Sequence, residues 1–239
     1  MLKQHDFVFG SMGIENVHSE IAVKIQGMLM HIIPQEIAMQ MHENKYHPYA
    51  IYCVPQDNGQ KILTRVSSLD ALGDIFIEAV SKLNYVYIQG MGKVKIIGRG
   101  ETFTSDLSSI VRSLNGRRFR LAFITPSVFK IKGNETSFPD VTMHFLSVIR
   151  KMNEFECVNI DFDLFRKSYY RCKINDWRFY SHTYNVSGIM VPGMTGYVDV
   201  VLPNDPAQQL LKKVFAYASF SGTGGRTGMG MGGFVFQAL

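Results

Sequence analysis

Seven histidines, His5, His18, His31, His42, His47, His144 and His182, are the side chains best suited to move a proton near neutral pH. An unperturbed imidazole titrates at about 6.5 and can serve as general acid or general base. Spacing alone does not choose among the seven. The second concentration of chemistry is the stretch Ser219 to Gly233, which holds seven of the 21 glycines with Arg226 in its middle. Glycine accepts positive φ and lets another backbone come close, and successive free N–H groups form an anion-binding concavity. The stretch therefore reads as a backbone cradle for phosphate, with Arg226 as the charged contact. A flexible tail is the alternative, but the strand-like Gly233-Phe234-Val235-Phe236 that follows would hold the loop at both ends. It lacks the Gly-Lys-Ser/Thr ending of a Walker A loop and follows a helix instead of an early strand, which argues against a nucleotide cofactor.

Composition bounds the partner. The chain has 239 residues, 46% of them apolar, enough for one large or two small domains with a real core. A formal net charge of +5 favours a polyanionic partner mildly. Cys53, Cys157 and Cys172 form neither a CxxC pair nor an even disulfide set, which suits a reducing cytoplasm and argues against a structural zinc site. No cofactor and no metal are expected. No apolar run approaches the ~20 residues that span a bilayer, and the start of the chain does not read as a signal peptide. The expectation is a soluble cytoplasmic protein with no membrane partner.

The elements that must position these residues follow from periodicity. Asp6 to Phe9 reads as a strand, and Val17 to Ile32 as a helix with Ile21, Ile25, Met28, Leu29 and Ile32 on one face. Pro34 suits the start of a shorter helix to about Glu43. Tyr49 to Val54 and Lys61 to Val66 read as a hairpin around Asp57-Asn58-Gly59. A helix capped by Ser67 or Ser68 runs to Leu83, and Tyr85 to Ile97 is a final strand or ribbon. The order β-α-β-β-α-β is ferredoxin-like. Gly98 to Gly116 is polar, with little strand pattern, and is taken as the junction. The order then repeats: a strand at Phe119 to Thr125, a helix at Val141 to Met152, strands over Tyr169 to Tyr184 and Gly196 to Leu202, a helix capped by Asn204, and a strand at Gly232 to Phe236. The expected fold is α+β, two tandem ferredoxin-like domains spanning residues 1–100 and 117–239, with a C-terminal glycine-rich loop.

That loop resembles the one in the CRISPR-associated repeat-RNA processing endoribonucleases of the RAMP superfamily. Their pattern is Gly-hydrophobic-Gly, five residues with a Lys or Arg, then Gly-x-Gly. Gly222-Thr223-Gly224, Gly225 to Met229 with Arg226, and Gly230-Met231-Gly232 match it, with Thr223 in the hydrophobic slot. Phe119 to Lys130 followed by Phe138-Pro139-Asp140 looks like the strand, Thr-Pro turn and Pro-started helix of the same family. The resemblance implies an endoribonuclease that cuts CRISPR precursor RNA within its repeats, independently of metal, leaving a 2′,3′-cyclic phosphate or 3′-phosphate and a 5′-hydroxyl. A non-catalytic RAMP subunit that holds guide RNA is the alternative, and a generic single-stranded RNA module ranks last for want of an RNP pattern.

Among the histidines the resemblance selects His42, in Ile37 to Ile51. The last turn of a helix also favours a cation there, suited to protonating the leaving oxygen; a helix-capping histidine is the plainer reading. The family's tyrosine slot falls beside Met30, with His31 next to it, so that feature is not reproduced. Lys45 fits the family's lysine and would stabilise the phosphate as a point charge; His47 is a substitute or second proton carrier. The catalytic candidates are thus His42, Lys45 and His31. For RNA binding the candidates are Gly222, Gly224, Arg226, Gly230 and Gly232, with Lys173 and Arg178 from the basic and aromatic stretch Arg166 to Tyr180, whose alternative is an ordinary hairpin. Repeat RNA is the expected partner, with a CRISPR interference complex and a homodimer as further possibilities.

Overall fold

The structure is a computed structural model describing residues 1–10, 20–90 and 92–239. In chain order the elements are β1 (Leu2–Gly10), α1 (Glu20–Ile32), α2 (Gln35–Glu43), β2 (Tyr49–Gln56), β3 (Lys61–Ser68), α3 (Ala71–Lys82), β4 (Tyr85–Ile88), β5 (Gly92–Arg99), β6 (Phe103–Ser105) and α4 (Leu107–Ser113). They continue as β7 (Arg118–Ser127), β8 (Phe129–Ile131), β9 (Asn134–Thr136), α5 (Val141–His144), α6 (Leu146–Phe155), α7 (Phe162–Tyr169), β10 (Lys173–Val186), β11 (Ile189–Val201), α8 (Ala207–Ser221) and β12 (Phe234–Ala238). The expected helical residues Val17 to Ser19 lie outside the described residues.

The first sheet has the order β2-β3-β1-β5-β4, with β6 also pairing β1, and its pairs are antiparallel. Period-2 alternation sends Phe7 and Phe9 of β1, Ile62 and Val66 of β3 and Val94 and Ile96 of β5 to one face. There they meet Ile21, Ile25 and Leu29 of α1 and Phe76, Ile77 and Val80 of α3. The second sheet has the order β10-β11-β7-β12. Its inner face carries Phe119, Leu121, Phe123, Val198, Val200 and Phe234, packed on Phe145, Phe165 and Phe215 from the helices. Each half places its strands as second, third, first, fourth around two helical crossovers, so the fold is tandem ferredoxin-like.

Several local expectations need correction. Asp70, not Ser67 or Ser68, caps α3, accepting a bond from the Gly73 N–H, while Ser68 Oγ donates to Asp74 Oδ1 at 2.7 Å. Asn204 does not cap α8; the Asp205 carboxylate accepts from the Ala207 N–H at 2.8 Å. The helix expected over Val141 to Met152 starts at Val141, after the Asp140 cap, but is divided at Phe145 into α5 and α6. The Gly98 to Gly116 interval holds β6 and α4, which returns to the body through the buried Leu107 and Val111. Tyr169 is not strand but the end of α7, so Arg166 to Lys173 is a helix and turn leading into β10.

The two halves touch through the C-terminal loop and the end of α8. Gln4 Nε2 donates to Ser219 O at 2.7 Å, and Phe103 lies 6.1 Å from Phe220, centroid to centroid. The turn Thr227–Met229 packs on β2 and α1.

Candidate functional site

The short helix α2 is fixed by one side chain. Met41 is fully buried, and His42, the next residue, is exposed in the last turn. The helix stops at Asn44, where the backbone turns extended and its N–H still donates to Gln40 O. The chain then brings His47 back beneath that turn. His47 Nδ1 lies 3.2 Å from Met41 O, and its ring stacks on Tyr49 at 5.5 Å. Because a carbonyl can only accept, Nδ1 carries the proton and the lone pair sits on Nε2. Burial pulls the His47 pKa below the ordinary histidine value, the bond to Met41 O opposes this, and the charges of Lys151 and His42 lower it further. His42 and His47 thus share one electrostatic neighbourhood.

The other two catalytic candidates are not assembled with this pair. Lys45 is exposed, its Nζ 5.2 Å from the centroid of the Tyr46 ring. His31, in the last turn of α1, lines a cleft of about 1120 Å³ with Lys24, Tyr87, Gln89 and the Ser187-Gly188 hairpin tip. Among the described residues no hydrogen bond joins His31 or Lys45 to His42.

The glycine-rich loop differs most from expectation. Several of its amide donors are occupied within the protein: Thr223 N–H by Gly232 O, Gly224 by His144 O, Gly225 by Val128 O and Gly232 by Pro126 O, all at 2.7–2.9 Å. Gly233 N–H donates to Thr125 Oγ1 at 2.7 Å. The Thr125-Pro126 pair therefore supplies the acceptors that hold the returning loop. Arg226 adopts φ +59 and directs Nε and Nη2 to Glu135 Oε1 at 3.0 and 2.8 Å. The fully open cradle read from the sequence is narrowed: the N–H groups of Thr223, Gly224, Gly225, Gly232 and Gly233 are bonded within the protein, and Arg226 is paired with Glu135. What requires glycine here is close packing. A Cβ on Gly230, at φ +96, would fall 2.0 Å from Tyr184 Oη, and one on Gly232, at φ +70, would fall 2.0 Å from Thr223 O.

A lysine that sequence reasoning passed over anchors this loop. Lys151 of α6 is buried, and its Nζ donates to Ser221 O at 2.8 Å and to Thr227 Oγ1 at 2.7 Å. Burial pulls its pKa down to about 7, while the carbonyl end of α8, where Ser221 lies, favours its charged form. The signal in the sequence was its place beside Val148 and Met152 on the inward face of an amphipathic helix. His144 is another internal support. Its Nε2 lies 3.3 Å from Phe138 O and donates, so Nδ1 accepts from Ser127 Oγ at 2.8 Å. Burial pushes its pKa down to about 4. That removes His144 from the proton-transfer candidates.

The two β10 candidates stand apart. Lys173 opens the strand beside Arg117, Arg118 and Asn175 around a surface recess. Arg178 sits opposite Tyr197 on the exposed sheet face, hydrogen-bonded to Tyr180. Arg120 lies 4.0 Å over the Tyr197 ring on that face, whereas Trp177 and Phe179 stack on the other.

Comparison with known proteins agrees with this architecture. The family model described as CRISPR-associated endoribonuclease Cas6 matches residues 121–234. The Cas6 endoribonuclease of Streptococcus thermophilus is 23% identical over 96% of this chain and 97% of its own length. That of Mycobacterium tuberculosis is 24% identical over 90% of this chain and 71% of its own. Among solved structures, Thermus thermophilus Cas6 shares the fold with a TM-score of 0.72 at 18% identity, over 99% of this chain and 98% of that one. A Cas6 product complex does so with 0.79 at 17%, over 100% and 99%. With the glycine-rich loop, the Thr-Pro strand and the tandem ferredoxin-like fold all in place, the chain is similar over nearly its whole length to the Cas6 family of CRISPR-associated endoribonucleases.

Proposed function

We propose that this chain cleaves CRISPR precursor RNA within its repeats by attack of a 2′-hydroxyl on the adjacent phosphorus. The products are a 2′,3′-cyclic phosphate (or the 3′-phosphate from it) and a 5′-hydroxyl. The observation that carries the reading is the His42 and His47 pair at the carbonyl end of α2. His47, held neutral by burial with its lone pair on Nε2, is suited to take the 2′-hydroxyl proton. His42, exposed where the helix end favours a cation, is suited to protonate the departing 5′-oxygen. Lys45, two residues before His47 and exposed, is kept as the candidate to meet phosphate charge. Two proton carriers account for both transfers, so the chemistry requires no metal. His31 takes no part in this step; its cleft is assigned to RNA passage.

The alternative of a non-catalytic RNA-holding subunit is not favoured, since it leaves the paired histidines unexplained. Lys173 and Arg178 are kept as backbone contacts on the second sheet, and the glycines as the frame behind them. Two sheets, each with its own main core cluster, support the division into residues 1–100 and 117–239 as domains, with Leu2 and Leu69 of the first half packing into the second core. Among the described residues no helix is long and apolar enough to cross a membrane; a cytoplasmic site of action is part of the proposal. A homodimer and a place in an interference complex belong to the same proposal.

The test is incubation of the protein with labelled repeat RNA from its own host in EDTA. A single cut, abolished by a 2′-deoxy substitution at one nucleotide, is expected. Tight binding without a cut would replace this reading with the RNA-holding one.

A further inference from the structure

The β4–β5 hairpin presents an aromatic and basic ladder that the catalytic reading does not use. Alternation places Val86, Ile88, Val94 and Ile96 in the first core, so Tyr85, Tyr87, Lys93 and Lys95 all project from the opposite face of the sheet. In the strand register Tyr85 stands opposite Lys95 and Tyr87 opposite Lys93. The diagonal pair closes as well, with Lys93 Nζ 4.0 Å from the centroid of the Tyr85 ring. The tyrosines remain open, Tyr85 at 43% and Tyr87 at 68% exposure, too much for rings recruited to the core. Among the described residues neither lysine, nor the neighbouring Lys24, forms an ion pair with a carboxylate.

We infer that this ladder is a stacking platform for single-stranded RNA. Two exposed rings on alternate positions of one strand offer faces to successive bases, and unpaired lysines on the adjacent strand meet the phosphates between them. The charge complementarity is that of a polyanion, since the hairpin itself, Tyr85 to Arg99, carries cations and no acid. The platform also runs into a larger feature. Tyr87 lines the cleft that holds Lys24 and His31, and His31 ends α1, the helix that hands on through Pro34 to α2 and His42. Unpaired nucleotides flanking the cut would follow this path. Lysines on an edge strand guard it against pairing with another chain, but here they lie on β5, and the edge strand β4 carries the exposed tyrosines instead.

This inference rests on the proposed RNA substrate, and the experiment separates the two. Binding of the host repeat RNA and of an unstructured ten-nucleotide RNA is measured for the wild type, a Tyr85→Ala, Tyr87→Ala double variant and a Tyr85→Phe, Tyr87→Phe double variant. Cleavage of repeat RNA in EDTA is followed in parallel. Loss of the rings should weaken binding of the unstructured RNA by about tenfold or more, while the phenylalanine variant, which keeps the faces, binds as the wild type. A Lys93→Gln, Lys95→Gln variant should reduce the slope of log affinity against log salt by about 1.4. Wild-type affinity in the alanine variant would overturn the platform and leave the ladder as a protein contact. Equal loss in the phenylalanine variant would overturn stacking. Wild-type protein that binds without cutting would sink the cleavage reading alone; wild-type protein that binds neither RNA would sink both.

Discussion

Gly228 of the C-terminal loop lies against the ring of Tyr49, so closely that a Cβ built on it would stand 2.8 Å from Tyr49 Cε2. The reason for glycine is space, because this residue does not occupy the positive-φ region. Tyr49 stacks on His47, and Thr227, the residue before Gly228, receives a hydrogen bond from Lys151. A continuous set of contacts therefore runs from α6 through the loop to the histidine pair of the other half. Gly228→Ala should push the tyrosine and with it His47. The expected result is a fall in single-turnover cleavage of about 10- to 100-fold with nearly unchanged RNA affinity. An unaltered rate would show that the loop does not position the histidines.

The division of labour between His42 and His47 is open to kinetics. Each alanine variant should lower the cleavage rate by about 100-fold or more while RNA affinity stays close to wild type. In the wild type the rate should rise with pH as His47 loses its proton, through a pKa lying below the ordinary histidine value, and His47→Ala should abolish that rise. A rise that survives intact in His47→Ala would assign the base elsewhere.

Much of this architecture is legible in the sequence because it is local. The alternation of Phe7 and Phe9 and the helical spacing of Ile21, Ile25 and Leu29 give the first half its order, and the same arithmetic gives the second. The α7 helix was obscured by its own aromatics: Tyr169 and Tyr170 suggest strand, but Asp161 caps a helix whose Phe165 and Tyr169 face the core. His42 was reached through resemblance and its helix end. The rest of the site was hidden because its partners are distant in sequence, Met41 O apart. Lys151 meets Ser221 and Thr227 across some 70 positions, and glycine content gave no indication that the N–H groups of Thr223, Gly224, Gly225, Gly232 and Gly233 would be bonded inside the protein.

Arg226 follows from the same point. Its guanidinium is tied to Glu135 through Nε and Nη2, with both side chains half-buried. The pair is close to neutral as seen by an approaching phosphate. Arg226→Ala should leave the salt dependence of RNA binding almost unchanged, where loss of a true phosphate contact to single-stranded RNA would lower the slope by about 0.7. A drop of that size in a salt titration would restore Arg226 as a phosphate ligand that abandons Glu135 on binding.

His144 makes the fold sensitive to acid. Its folded pKa is lowered to about 4 by burial, against about 6.5 in the unfolded chain. Between these values the unfolded chain binds a proton that the native ring refuses, so stability rises with pH across this window and is lost as the pH falls through it. A displacement of that size corresponds to about 3 kcal/mol once the pH is below both values. Since His144 Nδ1 accepts from Ser127 and its carbonyl accepts from Gly224, protonation should loosen the glycine-rich loop first. Urea unfolding at pH 7 and pH 4.5 is expected to show the loss, and a His144→Gln variant should show a much shallower pH dependence whatever its absolute stability. Equal pH slopes in the two proteins would mean that His144 is not the group responsible.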